Sequence, residues 1–186
     1  MSKQNNNILA SLVLSLLFIT SSYAKDENVE HYGDIIQILI PATGYATTIY
    51  LDDEEGEDQF WNSFLSTFGT THVLKRTVKE ERPNDGNDQS FPSGHTSASF
   101  QGATFIHQRY GLKYAIPAYI GATFVGYSRV YAEKHYTHDV VAGALIGSGF
   151  SYYFTTPYKY RDVSIKPIVY NSVGSKSNLY GVQVTW

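Results

Sequence analysis

The sequence contains a histidine and an aspartate, His135 and Asp139, whose types and spacing suit nucleophilic catalysis. On a predicted helix, residues at this spacing share one face and lie about one turn apart. A carboxylate that accepts a hydrogen bond from Nδ1 of an imidazole leaves Nε2 with a free lone pair. Such an imidazole can form a covalent phospho-intermediate. Taken alone, the same pair would more often be a surface ion pair that stabilises a helix.

His95 lies just inside the predicted start of another helix, directly after Ser93 and Gly94. An oxygen leaving group needs a proton as its bond to phosphorus breaks, and the ordinary pKa of histidine suits it to that task. The first amides of a helix have no intrahelical acceptor and lie at the positive end of its dipole, so they can bind a phosphate oxygen. A glycine there lets the anion approach the backbone without meeting a Cβ.

Lys75, Arg82 and Arg129 supply positive charge. Phosphoryl transfer spreads negative charge over the equatorial oxygens of phosphorus, and cationic donors stabilise that charge. Arginine makes forked contacts with phosphate, whereas lysine acts as a point charge. Each cation could by itself be a solvated surface residue, so the prediction depends on all of these residues meeting in the fold.

These residues form a three-part signature: Lys75-(six residues)-Arg82-Pro83, then Pro92-Ser93-Gly94-His95, then Ser128-Arg129-(five residues)-His135-(three residues)-Asp139. The signature resembles that of the type 2 phosphatidic acid phosphatase superfamily, which also includes the bacterial class A acid phosphatases and the vanadium haloperoxidases. The matching stretch runs from residue 75 to residue 139, the middle third of the chain.

The resemblance implies a role for each residue of the signature. His135 would attack phosphorus, Asp139 would orient that histidine, and His95 would protonate the leaving group. The phosphate would be held by Lys75, Arg82, Ser93, Gly94 and Arg129. The resemblance also implies that no divalent metal is required, and we expect no cofactor.

The resemblance implies an all-α fold, a helical bundle with the site between helices. Hydrophobic periodicity predicts one helix from about Phe60 that ends near Gly69, and a second helical stretch from Thr70. Further helices are expected over residues 35–51, 93–110, 114–131 and 139–154. Alternating apolar residues beyond Pro157 favour a short C-terminal β-hairpin.

The N-terminus has the pattern of a secretory signal peptide, with an apolar run over Ile8–Thr20 and a small-x-small site at Ser22-Tyr23-Ala24. An uncleaved anchor is the alternative, but the run is shorter than the ~20 residues that span a bilayer. We therefore expect a signal peptide at 1–24, a helical phosphatase domain at 25–157 and a tail at 158–186. The protein would be exported to the bacterial periplasm or envelope, either soluble or membrane-associated.

Composition excludes several other classes of protein. The chain has no cysteine, so neither disulfides nor a thiolate metal site can form. Its net charge of −3 argues against nucleic acid as a partner. The acidic run Asp52–Asp58 lacks the ligand alternation of a calcium loop, so we expect a solvated turn there. His138 would fall on a different helix face from His135, which argues against a metal site at this stretch.

Three functions compete at this stage: a phosphatase, a vanadium-dependent haloperoxidase, and a non-catalytic envelope protein on the same fold. Only Asn84–Phe91 separates the first two parts of the signature. This connection is shorter than the longer insertions common in the family that the signature resembles. By that comparison we expect a small lid and an open site mouth that admits bulky or lipid-borne phosphates, although soluble phosphomonoesters remain an alternative. A phosphorylated substrate, and association with a membrane surface, are the expected partners. Nothing in the sequence indicates an oligomeric state.

Overall fold

The computed structural model describes residues 27–158, 164–171 and 178–185. They form the helices α1 (Glu27–Tyr50), α2 (Glu54–Val78), α3 (Gly94–Tyr110), α4 (Leu112–Tyr131) and α5 (Thr137–Phe154), followed by the strands β1 (Ser164–Asn171) and β2 (Asn178–Thr185). The expected all-α bundle is confirmed, and β1 and β2 pair antiparallel as a hairpin, with Ser164 opposite Thr185. The predicted signal peptide lies outside the described residues. Among the described helices, none combines the length and apolarity needed to cross a bilayer.

Helix α3 lies at the centre of the bundle and packs against α1, α2, α4 and α5. One face carries Ala103 and Ile106 into an apolar core with Ile40 of α1 and Ala122 of α4. Several polar residues of α3 are buried as well, and some of them bond to neighbouring helices. Gln101, for example, donates to Ser63 Oγ of α2 at 2.8 Å and accepts at its carbonyl from Ser151 Oγ of α5 at 2.7 Å.

Glycines on α5 allow it to approach α3 closely. A Cβ added at Gly143 would lie 2.5 Å from Ser93 O. One added at Gly147 would overlap Ser97 O and lie 2.8 Å from Gln101 N. This close approach matters for the site, because α3 begins next to His95 and α5 begins next to His135.

Helix α2 is continuous, so the predicted end near Gly69 is wrong. A glycine inside a helix costs only ~1 kcal/mol relative to alanine, which burial on either side can outweigh. Thr67 and Thr71, one turn apart around Gly69, are both buried, whereas a Cβ at Gly69 itself would have no atom within 4 Å. The helix therefore carries Lys75 on the same axis as Phe60.

The acidic run is not simply a solvated turn, because Asp53 is buried. Its Oδ1 accepts the Gly56 amide at 3.0 Å and caps α2, and its carboxylate forms a two-pronged ion pair with Arg109 of α3. Burial raises the pKa of Asp53, but the hydrogen bonds from Arg109, Gly56 and Tyr110 outweigh it and hold that pKa below its usual value. The expected solvated turn is therefore wrong at Asp53, because its buried partner Arg109 lies 56 positions further along the chain.

Candidate active site

Asp139 closes the N-terminus of α5, and His135 lies before the helix begins. The expectation that both residues share a helix is therefore wrong. Asp139 Oδ2 accepts the Tyr136 amide at 2.9 Å, and Tyr136 O accepts the Asp139 amide at 3.1 Å. This reciprocal pair of hydrogen bonds resembles a capping box and caps the N-terminus of α5, which begins at Thr137. The two side chains still meet, although Tyr136 between them has an extended backbone rather than a helical one.

The imidazole of His135 and the carboxylate of Asp139 form a buried pair. Nδ1 of His135 lies 3.4 Å from Oδ2 of Asp139, and the two side chains are 3% and 0% exposed. That distance is slightly longer than the usual range for a hydrogen bond. The same Oδ2 accepts a hydrogen bond from Ser90 Oγ at 2.5 Å. Oδ2 of the carboxylate is thus held by hydrogen bonds from Ser90 and from the Tyr136 amide.

The surroundings of His135 keep its imidazole neutral. Burial lowers its pKa to about 4, the positive charges of Lys75 and Arg82 act in the same direction, and Asp139 opposes them. Near neutral pH the ring therefore carries one proton and one lone pair. With Nδ1 next to the carboxylate, Nε2 is the nitrogen available for nucleophilic attack.

His95 and Arg129 meet at a third residue, Asp34 of α1. Asp34 Oδ1 lies 3.0 Å from His95 Nε2 and 2.7 Å from Arg129 Nη1. Arg129 also donates to Glu30 O at 2.7 Å and to Ser128 Oγ at 3.1 Å. Burial lowers the pKa of His95, and so does the neighbouring Arg129, while Asp34 raises it.

Lys75 and Arg82 are anchored to the connection between α2 and α3. Lys75 Nζ donates to Gln89 O at 2.8 Å and to Ser90 O at 3.3 Å. Arg82 Nε donates to Asn87 Oδ1 at 3.0 Å. Burial lowers the pKa of Lys75 to about 8, helped by Arg82 and opposed by Asp139. The lysine is therefore a cation below that pH and begins to lose its charge above it.

Ser93 and Gly94 occupy different positions at the start of α3. Ser93 is completely buried; its Oγ accepts the Thr96 amide at 3.4 Å, and its own amide donates to Asp139 O at 3.0 Å. Ser93 thus joins the start of α3 to the start of α5. Gly94 reaches the cavity, and a Cβ placed there would contact Lys75 Cε at 3.7 Å.

One cavity of about 570 Å³ brings the predicted residues together. Its wall includes Lys75, Arg82, Gly94, His95, Arg129 and His135. Asp139 and Ser93 are buried behind this wall and contribute through their hydrogen bonds. The apolar part of the wall comes from Phe64, Phe68 and Ala98, and His72 lies beside Phe68 with a ring separation of 3.9 Å.

Sequence reasoning missed Asp34 and Ser90. Ser90 lies only three positions before Ser93, so it borders the signature without belonging to it. Asp34 lies 95 positions before Arg129, on a helix that the signature does not include. Sequence spacing could not have paired Asp34 with Arg129, because only the packing of α1 against α3 and α4 brings Asp34 to the site.

A group that could hold a metal ion includes Asp139 itself. Glu80, His138 and Asp139 each offer one ligand atom, and these atoms lie within 4.8 Å of one another. His138 Nε2 is 2.8 Å from Glu80 Oε1 and 3.2 Å from Asp139 Oδ1. A hydrogen bond between His138 Nε2 and Glu80 Oε1 accounts for the shorter of these distances, so the donor set alone does not require a metal ion.

A helical bundle that brings two histidines and three cations to the wall of one cavity has the side chains of a phosphate-handling protein. Comparison with known families identifies the family: the PAP2 superfamily matches residues 59–162, more than half of the chain. The chain therefore belongs to the PAP2 superfamily.

Individual relatives extend this comparison beyond the signature. The lipid A 4'-phosphatase of Helicobacter pylori is 31% identical over 165 residues, which cover 83% of this chain and 82% of that protein. The lipid A 1-phosphatase of Porphyromonas gingivalis is 36% identical over 139 residues, or 68% of this chain and 29% of that protein. The crystal structure of Aquifex aeolicus LpxE superposes with a TM-score of 0.60 at 22% identity, over 75% of this chain and 91% of that chain. The superposition shows a shared fold.

Proposed function

We propose that this chain is a metal-independent phosphatase that hydrolyses a lipid-linked phosphate ester through a phosphohistidine at His135. The chain is a phosphoric monoester hydrolase by its superfamily and by the phosphatases to which it is similar. The observation that carries the mechanism is the buried His135 imidazole, neutral beside Asp139 and next to Lys75 and Arg82.

In the first step, Nε2 of His135 attacks phosphorus and the bond from phosphorus to the ester oxygen breaks. Lys75, Arg82 and Arg129 stabilise the charge that develops on the other oxygens. His95 gives its proton to the departing oxygen, which leaves as an alcohol. The imidazole of His135 becomes positively charged as it forms the N–P bond, and the Asp139 carboxylate stabilises it.

In the second step, water attacks phosphorus and the N–P bond breaks. His95, now neutral, accepts a proton from that water, and inorganic phosphate leaves with the enzyme restored. His95 must be protonated for the first step although its pKa in the free protein is lowered. A phosphate dianion in the cavity would raise that pKa, because a nearby negative charge favours the charged form of histidine.

The apolar side of the site supports a lipid substrate. Phe64 and Phe68 line the cavity, and Trp61, Leu65 and Phe68 are 43%, 58% and 53% exposed along the same helix. An apolar surface that leads into a phosphate site suits a headgroup presented at a membrane or micelle. Because the relatives include two lipid A phosphatases, we propose lipid A as the substrate and the cell envelope as the location.

Phosphate release by the full chain in detergent tests this proposal. Lipid A, a lipid diphosphate and a soluble aryl phosphate would be offered in the presence of EDTA, to the wild type and to His135→Ala. We expect release from lipid A by the wild type alone, and an acid-labile, base-stable phosphoprotein after rapid quenching. Loss of activity in EDTA would contradict metal independence. A folded protein that releases phosphate from none of these substrates would overturn the proposal, and vanadate-dependent halide oxidation would then indicate the haloperoxidase.

A further inference from the structure

Asp34 of α1 occupies the place where an anion would bind between His95 and Arg129. A single oxygen, Oδ1, lies 2.7 Å from Arg129 Nη1 and 3.0 Å from His95 Nε2. Both of these residues line the cavity, and so does Asp34. We propose that Asp34 is a resident anion that fills this position in the free protein, and that the phosphate of the substrate displaces it.

The contacts of Arg129 indicate which of its nitrogens a phosphate can reach. Nε donates to Ser128 Oγ at 3.1 Å and Nη2 donates to Glu30 O at 2.7 Å. Ser128 is completely buried and Glu30 O belongs to the backbone of α1, so neither acceptor is free to leave. The partner of Nη1 is a side chain that is 46% exposed and can rotate toward water. A phosphate that takes over the N–H of Nη1 that now points to Asp34 must replace that carboxylate.

Electrostatics argues against simultaneous occupation. A carboxylate and a phosphate dianion on the same two donors would be like charges a few ångströms apart, in a site where burial weakens solvent screening. In the free protein, Asp34 pairs with His95 and with Arg129, which is 3% exposed, and so orients both side chains. The consequence for the substrate is weaker binding, because its phosphate must compete with the carboxylate.

This inference rests on the proposed function, since it assigns a competitor to the same phosphate site. Binding of inorganic phosphate to the full chain, measured by calorimetry without turnover, tests it directly. Asp34→Asn keeps the shape of the side chain and removes its charge, and we expect it to bind phosphate about tenfold more tightly, the usual worth of a charge-assisted hydrogen bond. Asp34→Glu keeps the charge and should bind as weakly as the wild type.

Glu30→Gln is the matched control, because Glu30 lines the same cavity, pairs with Lys134 at 3.4 Å and would lose the same charge. We expect a smaller gain in affinity from Glu30→Gln than from Asp34→Asn. Equal gains would mean a general charge effect and would overturn the displacement. Unchanged or weaker phosphate binding by Asp34→Asn would also overturn it, with Asp34→Ser as a second variant if the first does not fold. A wild type that binds phosphate and turns over would leave the proposed function standing in either case; one that does neither would overturn both.

Discussion

Ser90 Oγ lies 2.5 Å from Oδ2 of Asp139, and both residues are completely buried. The same oxygen accepts the Tyr136 amide at 2.9 Å and faces His135 Nδ1 at 3.4 Å. One carboxylate oxygen therefore caps the N-terminus of α5, accepts a hydrogen bond from a serine and faces the proposed nucleophile. Ser90 lies outside the signature, and its hydrogen bond helps to hold the carboxylate in place.

Ser90→Ala should slow the chemistry without weakening substrate binding. A hydrogen bond to a charged group contributes ~1.5 kcal/mol or more, so its loss should lower kcat by about tenfold while KM changes little. Steady-state kinetics on an aryl phosphate would measure both constants. Ser99→Ala is the control, because Ser99 is equally buried but donates to His95 O within its own helix at 2.8 Å. Equal losses in the two variants would show that Ser90 acts only through packing.

The pH dependence of kcat/KM should be bell-shaped on the acid side of neutrality. As the proposed nucleophile, His135 must be neutral, and its pKa of about 4 means that activity is lost as the pH falls through that value. As the proposed acid, His95 must be protonated, and its pKa lies below the usual ~6.5 of histidine, so activity is lost again as the pH rises through that lowered value.

His95→Asn separates the two limbs of this profile. With 4-nitrophenyl phosphate, whose leaving group needs little protonation, the variant should keep measurable activity and lose the alkaline limb. The acid limb near pH 4 should persist, because it belongs to His135. An alkaline limb that survives in the variant would assign it to another group, with Lys75 and its pKa of about 8 the first to test.

Gly147→Ala should destabilise the protein severely and reduce its activity. The added Cβ would overlap Ser97 O and push α5 away from α3, so the helix starts that carry Asp139 and His95 would separate. Overpacking of this kind costs ~1–3 kcal/mol or more. Gly149→Ala on the same helix meets no atom within 4 Å and should instead be neutral or slightly stabilising. Thermal unfolding of both variants would measure the difference, and a similar Tm for the two would contradict the predicted contact.

Arg109→Met should unfold the protein more easily while leaving the chemistry intact in the molecules that fold. It removes the partner of the buried Asp53 carboxylate, and breaking a buried ion pair costs ~3–5 kcal/mol. Because the folded-state pKa of Asp53 is lowered, the stability this pair contributes is present above the ordinary aspartate pKa of 3.8 and is lost as the pH falls below it.

Urea denaturation of Arg109→Met across a range of pH would measure this loss. Arg76→Met is the control, because Arg76 is an exposed cation in the last turn of α2. A free energy of unfolding that drops by the same amount in both variants would contradict a special role for the buried pair.

Local features were predictable from the sequence. Glycine at position 111 has φ of 104° and ends α3 where expected, and the helices Leu112–Tyr131 and Thr137–Phe154 lie within a few residues of their predicted bounds. Their hydrophobic periodicity and their stop signals act over one or two turns, so neighbouring residues suffice to determine them. The end predicted at Gly69 failed because burial of Thr67 and Thr71 by other helices outweighed a local preference.

The sequence by itself determined the chemical types at the site, since Lys75, Arg82, His95, Arg129 and His135 all line one cavity. Only the tertiary structure decided which other side chains contact these residues and set their orientation and charge. Asp34 reaches Arg129 from 95 positions away, and Ser90 reaches Asp139 from 49 positions away. Burial, which lowers the pKa of His135 to about 4, likewise depends on helices distant in the chain. Spacing along a chain records contacts within a helix or a turn, whereas these contacts exist only because separate helices pack together.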